Sequence, residues 1–242
     1  RYSPLTGIDR GNVAQLKGVW RTHLEGSGVG PQYSGAAQPI VHEGRVFLVT
    51  GANDVFALDL ATGAILWKYA ARLDPEISTV CCGWTNRGAA LGDGKLFFGA
   101  LDGRLVALDP RSGKEVWSVQ AERWQDGYSI TSAPLYFDGM VITGFYGAEF
   151  GVRGKVKAFD ARNGKLLWTF HTIPGPGEVG HDTWPANSDA WKRGGGTVWQ
   201  TPALDPALGL IYFSTGNPSP DFNGAVRPGD NLFTASIVAI EA

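Results

Sequence analysis

The sequence predicts an all-β fold: a β-propeller of four-stranded antiparallel blades with tryptophan-docking repeats, about four of them in this chain. Three observations carry that expectation. The first is an eleven-residue phrase, Ala-x-Asp-x-x-x-Gly-x-x-x-Trp, which runs from Ala57 to Trp67, from Ala107 to Trp117 and from Ala158 to Trp168. A fourth copy starts at Ala239-Ile240-Glu241 and meets the last residue, Ala242. The second is spacing: the first three copies start 50 and 51 residues apart, about the length of a four-stranded blade. The third is the pattern around each copy, strand-like runs separated by Gly-containing turns with no alternating helical segment, which excludes βαβ units.

Each part of the phrase has a physical task. An aliphatic strand leads in, as at Leu105-Val106-Ala107-Leu108. The Asp accepts backbone N–H bonds across the turn that follows, and the Gly supplies the positive φ of a tight hairpin. The next strand then ends on an indole. Burying one Trp removes roughly 150–250 Å² from water, worth about 4–6 kcal/mol as an upper bound. One ring per unit, docked between neighbouring blades, would join units too small to close a core alone. The alternative is that these rings are ordinary strand core.

The chain in order supports the repeat. Leu5 to Leu24 reads as an opening segment, with a turn or helical start at Asp9-Arg10-Gly11-Asn12-Val13 and Trp20 on a following strand. Trp20 precedes Trp67 by 47 residues and is the candidate docking residue of a blade completed elsewhere. Gln38–Val41 and Arg45–Val49 form a hairpin turned at Glu43-Gly44, and Val55–Leu58 leads into the first phrase. The second unit runs Gly88–Leu91, a turn at Asp93-Gly94, Lys95–Gly99, a turn at Asp102-Gly103, and Arg104–Leu108. The third runs Ile130–Tyr136, a turn at Asp138-Gly139, Met140–Thr143 and Gly154–Phe159. Residues 171–196, rich in Pro, Gly and Trp, break the rhythm and read as an insertion loop that walls a site. Strands Thr197–Leu204 and Gly209–Thr215 rebuild a fourth unit, all within one partial domain spanning 1–242.

Composition narrows the function. The 242 residues are 43% hydrophobic, with 34 Gly, 14 Pro and nine Trp, which suits a turn-rich β-protein. A net charge of −2 argues against nucleic acid or an anionic membrane as partner. No apolar run reaches 18 residues, so no span is expected. The opening residues Arg1-Tyr2-Ser3-Pro4-Leu5 read like the interior of a longer protein, from which a leader has been lost upstream.

Several residues carry candidate chemistry. The two cysteines, Cys81 and Cys82, are adjacent. They either form a strained eight-membered ring, a stiff polarizable platform, or remain two reduced cysteines packed as small hydrophobes. Glu149 stands among glycines at a strand end, free to reach an ion or to remain a solvated loop acid. Asn217, in Ser214-Thr215-Gly216-Asn217-Pro218, either ligates or caps its turn. A carboxylate with an amide oxygen suits a hard cation such as calcium. Gly194-Gly195-Gly196 brings backbone close to something and is followed by Trp199, a flat ring able to stack a planar cofactor or to fill the core. No His pair has metal spacing, and no nucleophile elbow or phosphate loop is present.

Taken together, these residues resemble the quinoprotein alcohol and methanol dehydrogenases, eight-bladed propellers that use pyrroloquinoline quinone (PQQ). The resemblance spans the chain. It rests on Arg1-Tyr2-Ser3-Pro4-Leu5, Cys81-Cys82-x-x-x-Asn86-Arg87-Gly88, Gly147-Ala148-Glu149-x-Gly151-Val152-Arg153-Gly154, Gly195-Gly196-Thr197-x-Trp199, and Gly216-Asn217-Pro218 leading to Arg227-Pro228-Gly229-Asp230-Asn231. It implies a vicinal disulfide between Cys81 and Cys82 on one face of the quinone and Trp199 on the other. It implies hydrogen bonds to the cofactor from Arg87, Thr131 and Thr197, and metal ligation, calcium or a lanthanide, by Glu149 and Asn217. The implied activity is oxidation of a primary alcohol by hydride transfer to a metal-polarised quinone, with a cytochrome c as electron acceptor and the periplasm as compartment.

Three departures accompany the resemblance. Ala36 stands where the family usually has a cofactor-binding Glu, and Tyr146 where a small residue precedes Gly-Ala-Glu. The family's catalytic aspartate is expected beyond Ala242, and Asp230 is not that residue. The chain therefore reads as the first half of an unclosed propeller, inactive alone, with two open strand edges. The competing reading is a non-catalytic propeller of the same repeat acting as a binding or assembly scaffold, in which the cysteine pair, Glu149 and Asn217 would not be expected together.

Overall fold

A computed structural model describes residues 5–24, 33–81 and 83–242. Arg1 to Pro4 and Cys82, which the sequence singles out, lie outside the described residues. The strands in chain order are β1 (Tyr33–Ser34), β2 (Ile40–His42), β3 (Arg45–Val49), β4 (Val55–Asp59), β5 (Ile65–Tyr69), β6 (Trp84–Thr85), β7 (Ala89–Gly92), β8 (Lys95–Gly99) and β9 (Arg104–Leu108). They continue as β10 (Glu115–Gln120), β11 (Leu135–Phe137), β12 (Met140–Gly144), β13 (Lys155–Asp160), β14 (Leu166–His171), β15 (Ala203–Asp205), β16 (Leu210–Ser214) and β17 (Ile237–Glu241). They form three four-stranded antiparallel meanders, β2–β5, β7–β10 and β11–β14, and a three-stranded sheet, β15–β17; β1 and β6 pair in parallel. The propeller blades expected from the repeat are present as these four sheets, and Ala242 follows directly on the third strand of the fourth.

The hairpins form where the turn residues permit them. Glu43-Gly44, Asp93-Gly94 and Asp138-Gly139 all take positive φ at both positions, the geometry that matches the right-handed twist of the flanking strands. In the repeat phrase, Asp59 Oδ1 accepts the N–H groups of Ala61 and Thr62, and Asp109 Oδ1 those of Arg111 and Ser112. The backbone repeats as closely: the N–H of Gly63, Gly113 and Gly164 each donates to the carbonyl of its own Asp at 2.8 Å.

Burial follows the period of two. In the second blade Leu96, Phe98, Val106 and Leu108 face the first blade, packing with Phe47, Val49, Val55 and Ala57. Phe97, Leu105 and Ala107 face the third blade and meet Val141 and Phe159. The third and fourth blades share Ile142, Val156, Ala158, Ile211 and Phe213. The middle strands are therefore buried on both faces, while outer strands such as β5 and β10 are largely exposed.

The repeat tryptophans do join blades. Trp67 Nε1 donates to the Pro110 carbonyl at 3.1 Å, and Trp117 Nε1 to that of Ala161 at 3.1 Å. Trp20 Nε1 makes the same bond to Leu60 at 2.9 Å; each acceptor is the residue after the repeat Asp. Trp67 and Trp117 are only partly buried and Trp20 is exposed, so each contributes less than the full burial of an indole. The segment from Leu16 to Leu24 carries no strand ladder, so Trp20 reaches the first blade through its side chain.

Two expected strands are shorter than predicted. Ile130 to Pro134 and Thr197 to Pro202 precede β11 and β15 without joining them, because their backbone groups bond across to other blades. Gln38 N–H donates to the Arg87 carbonyl at 3.2 Å, and Arg87 N–H to that of Thr131 at 3.0 Å. Thr131 Oγ1 then donates to the Trp199 carbonyl at 3.3 Å. These four residues precede the innermost strands β2, β7, β11 and β15, so the bonds link the four blades at one end of the sheets.

Candidate active-site cleft

That end carries a cleft of about 480 Å³ lined by Cys81, Arg87, Tyr146, Glu149, Thr197, Trp199 and Asn217, with Ser214, Thr215 and Gly216 among its other walls. Six residues singled out in the sequence thus come together from segments up to 136 positions apart. Thr131 is not among the lining residues. It is 1% exposed and sits behind the cleft, accepting Arg87 N–H and Nη1 on its carbonyl while its hydroxyl holds Trp199. Cys81 is exposed in the cleft.

Glycines tie together the segments that carry the two oxygen ligand candidates. Gly195 N–H donates to the Val152 carbonyl at 2.9 Å, and its own carbonyl accepts Gly154 N–H at 2.8 Å. On the other side Gly196 N–H donates to the Asn217 carbonyl at 2.9 Å. A β-carbon on Gly195 would lie 2.6 Å from that same oxygen. The Gly194-Gly195-Gly196 run is therefore a strip of bare backbone sewn between the Glu149 and Asn217 segments, the close approach its composition predicts.

The electrostatics suit an anionic, oxygen-rich ligand. The Arg87 guanidinium lies 4.9 Å from the centre of the Trp199 ring. Burial depresses its pKa from the ordinary guanidinium value, and the nearby Tyr146 phenol works the other way. It forms no ion pair among the described residues; its side chain donates to the Thr131 carbonyl. Ala36 lies beside Arg87 in a neighbouring cavity of about 550 Å³, so the carboxylate expected there from the family is replaced by open space. Thr197 is 1% exposed and its Oγ1 is buried without a hydrogen-bond partner, a polar atom that a ligand in the cleft can satisfy.

Asn217 Nδ2 donates to Asp221 Oδ2 at 3.3 Å, which leaves the amide carbonyl oxygen for a cation. Glu149 sits on the short 3-10 turn Ala148–Phe150, between Gly147 and Gly151, both at positive φ. One carboxylate and one amide oxygen suit a hard cation. Among the described residues no group of three or more His, Cys, Asp or Glu could hold a metal ion.

Tyr146 is the residue whose contacts sequence reasoning missed. Its hydroxyl accepts the Cys81 backbone N–H at 3.1 Å, and it lines the same cleft as Glu149. Burial and the Glu149 carboxylate hold its pKa well above the ordinary phenol range, against the opposing pull of the Cys81 N–H. Its only signal in the sequence was its bulk beside Gly-Ala-Glu. Ser188, Asp189, Lys192 and Arg193 of the insertion loop line a second hollow of about 870 Å³ together with Glu149.

Comparison with known proteins gives this cleft a context. A family model described as the PQQ glucose/ethanol/alcohol dehydrogenase β-propeller domain matches residues 1–242. The quinoprotein alcohol dehydrogenase PedH of Pseudomonas putida is 42% identical, over 99% of this chain and 42% of that protein. The dehydrogenase subunit of an alcohol dehydrogenase (quinone) from Gluconacetobacter polyoxogenes is 42% identical, over 100% of this chain and 35% of its own length. Among solved structures, the quinohemoprotein alcohol dehydrogenase ADHIIG of Pseudomonas putida HK5 superposes with a TM-score of 0.90 at 40% identity, over 100% of this chain and 36% of that one. A europium-containing methanol dehydrogenase gives 0.85 at 33% identity, over 99% of this chain and 44% of that one. The chain thus spans less than half of each of these relatives.

Proposed function

The chain belongs to the PQQ glucose/ethanol/alcohol dehydrogenase β-propeller family, and on that footing we propose that the protein oxidises a primary alcohol as a quinoprotein dehydrogenase. The observation that carries this is the single cleft shared by Cys81, Arg87, Glu149, Thr197, Trp199 and Asn217. The residues fit the implied groups. Among the described residues the buried Thr197 hydroxyl has no hydrogen-bond partner and the Arg87 guanidinium no carboxylate partner. With an indole they suit a planar polyanion, and the Glu149–Asn217 pair suits calcium or a lanthanide.

In this reading Trp199 and the Cys81-Cys82 pair flank the quinone. Arg87 neutralises its carboxylates, Thr197 donates or accepts from its buried hydroxyl, and Thr131 supports the contact by holding Arg87 and Trp199. Glu149 and Asn217 supply protein oxygens to the ion. The bound quinone supplies the two-electron acceptor for the alcohol's hydride. The chain's own part is to orient, to exclude water and to fix charge. The aspartate that takes the alcohol proton lies outside residues 1–242, so the chain alone does not turn over. A c-type cytochrome as acceptor and a periplasmic location complete the proposal, the latter because a vicinal disulfide and a loosely held ion suit an oxidising compartment.

The test is dye-linked oxidation of primary alcohols by the full-length protein supplied with PQQ and either calcium or a lanthanide. Turnover that depends on both groups is expected, with Glu149→Gln losing it. Failure of PQQ to bind the full-length protein overturns the quinoprotein reading, and appreciable turnover by residues 1–242 alone overturns the placement of the base. Recovery of the protein in the cytoplasmic rather than the periplasmic fraction overturns the location.

A further inference from the structure

Asn217 and Asp221 stand on one turn, in the connection between β16 and β17 of the fourth blade. The glycine strip fixes that turn on one side: Gly196 N–H donates to the Asn217 carbonyl and Ser219 N–H to the Gly194 carbonyl, both at 2.9 Å. Arg227 holds it on the other. Its Nε and Nη2 donate to the Pro220 carbonyl at 3.3 and 3.0 Å, and its Nη2 also reaches the Asp221 carbonyl at 3.4 Å. Its Nη1 donates to Asn231 Oδ1 at 2.9 Å. Asn231 is 2% exposed and its own N–H donates to the Thr183 carbonyl at 3.2 Å, so the clamp rests on a buried anchor.

The two side chains meet across this turn, with Asn217 Nδ2 donating to Asp221 Oδ2 at 3.3 Å. An ionised carboxylate can only accept hydrogen bonds, so it selects the nitrogen end of the amide and turns the oxygen end away from itself. Asn217 lines the cleft with Glu149, whereas Asp221 lines the adjoining hollow, to which Glu149 also contributes. The other carboxylate oxygen of Asp221, Oδ1, is buried and has no hydrogen-bond partner among the described residues. The Arg227 hydrogens go to other oxygens, so among the described residues the Asn217 amide is the donor this carboxylate has.

We propose that Asp221 is a positioning residue: it holds the Asn217 amide by its nitrogen, so that the carbonyl oxygen is the end presented to an ion in the cleft. The inference rests on the reading of Asn217 as an ion ligand. Groups that orient a metal ligand without touching the metal change metal affinity roughly 10–100-fold when removed.

The experiment is terbium titration of the full-length protein without PQQ, in wild type, Asn217→Ala, Asp221→Ala and Asp221→Asn. Tryptophan-sensitised luminescence reads the Kd, and decay lifetimes in H2O and D2O read the number of waters on the bound ion. Wild type is expected to bind. Asn217→Ala should bind more weakly and carry an extra water in place of the amide oxygen. Asp221→Ala should gain the same extra water and bind about tenfold more weakly than wild type, although Asn217 itself is intact. Asp221→Asn keeps an acceptor oxygen without the charge, so it should keep the wild-type water number. If Asp221 acted through its charge alone, both of its variants would bind weakly with unchanged water numbers, and that result overturns the proposal. So does a Kd for Asp221→Ala within about twofold of wild type while Asn217→Ala is defective. Either leaves Asn217 standing as a ligand. No binding by wild type, or no effect of Asn217→Ala, overturns the ion reading and the proposal together.

Discussion

The Trp67 indole lies so close over Gly113 that a β-carbon on Gly113 would fall 2.5 Å from Trp67 Cε3. The same holds one blade earlier, where Gly63 meets Trp20 at 2.5 Å, and one blade later, where Gly164 meets Trp117 at 2.9 Å. Gly and Trp of the repeat phrase are thus partners across a blade boundary, and each hairpin is a socket for the ring of the blade before it.

Replacing Gly113 with Ala therefore strikes twice. The residue has φ +69, which costs an L-residue about 1–2 kcal/mol, and the methyl must displace the indole, about 1–3 kcal/mol more. Gly44 is the control, at φ +72 with nothing within 4 Å of the added carbon. Urea unfolding should show Gly113→Ala destabilised by about 2–5 kcal/mol and Gly44→Ala by only the backbone part. Equal losses would show that the socket adds nothing.

The repeat Asp residues make the hairpins acid-sensitive. The Thr62 hydroxyl and N–H lower the pKa of Asp59, and the Ser112 N–H lowers that of Asp109. The Arg162 side chain lowers that of Asp160 to about 2. A depressed folded-state pKa means stability that is present above the unfolded value of 3.8 and is lost as pH falls through the folded value. Melting temperature should hold from pH 7 to about pH 5 and then drop steeply between pH 4 and about pH 2. Asp160→Asn should flatten the lower part of that drop; an unchanged profile would remove Asp160 from the account.

Much of this was legible because it is periodic. The phrase fixes the hairpin, its turn and its ring, and the 47-residue interval places Trp20 in the series that its bond to Leu60 completes. The site was legible in part, since Glu149, Asn217 and Trp199 stand beside glycines that only close approach explains. What escaped is pairing between blades at the axis. Ile130 N–H bonds the Ala100 carbonyl and the Thr131 carbonyl serves Arg87, so a strand-like run leaves its own sheet. Tyr146 escaped for a related reason: Cys81 is 65 positions away, and no local pattern announces such a bond.

Glu122 locks the second blade to the third. Its Oε1 receives Lys155 Nζ at 2.7 Å and Lys157 Nζ at 2.6 Å, with all three side chains mostly buried. Burial raises its pKa, but the two lysines more than offset that, and the net direction is down. Glu122→Gln leaves two ammonium groups sharing a neutral oxygen and should cost on the order of 1.5–3 kcal/mol at pH 7. Adding Lys157→Met should restore part of that loss by removing the repulsion. A double variant less stable than the single would point to packing of the lysine stem instead.

Thr197 separates a binding role from a folding role. Its hydroxyl is buried without a partner, and such a group costs the folded protein about 1–3 kcal/mol in desolvation. Valine keeps the shape and removes that cost. The ligand-free full-length protein with Thr197→Val should therefore melt at the same temperature as wild type or above it. If the hydroxyl waits for the quinone, PQQ affinity should fall about 5–10-fold, one neutral hydrogen bond's worth, as read by quenching of tryptophan fluorescence. The opposite signs of the two changes are diagnostic. A loss of stability with unchanged affinity would make Thr197 a structural residue and take it out of the cleft's chemistry.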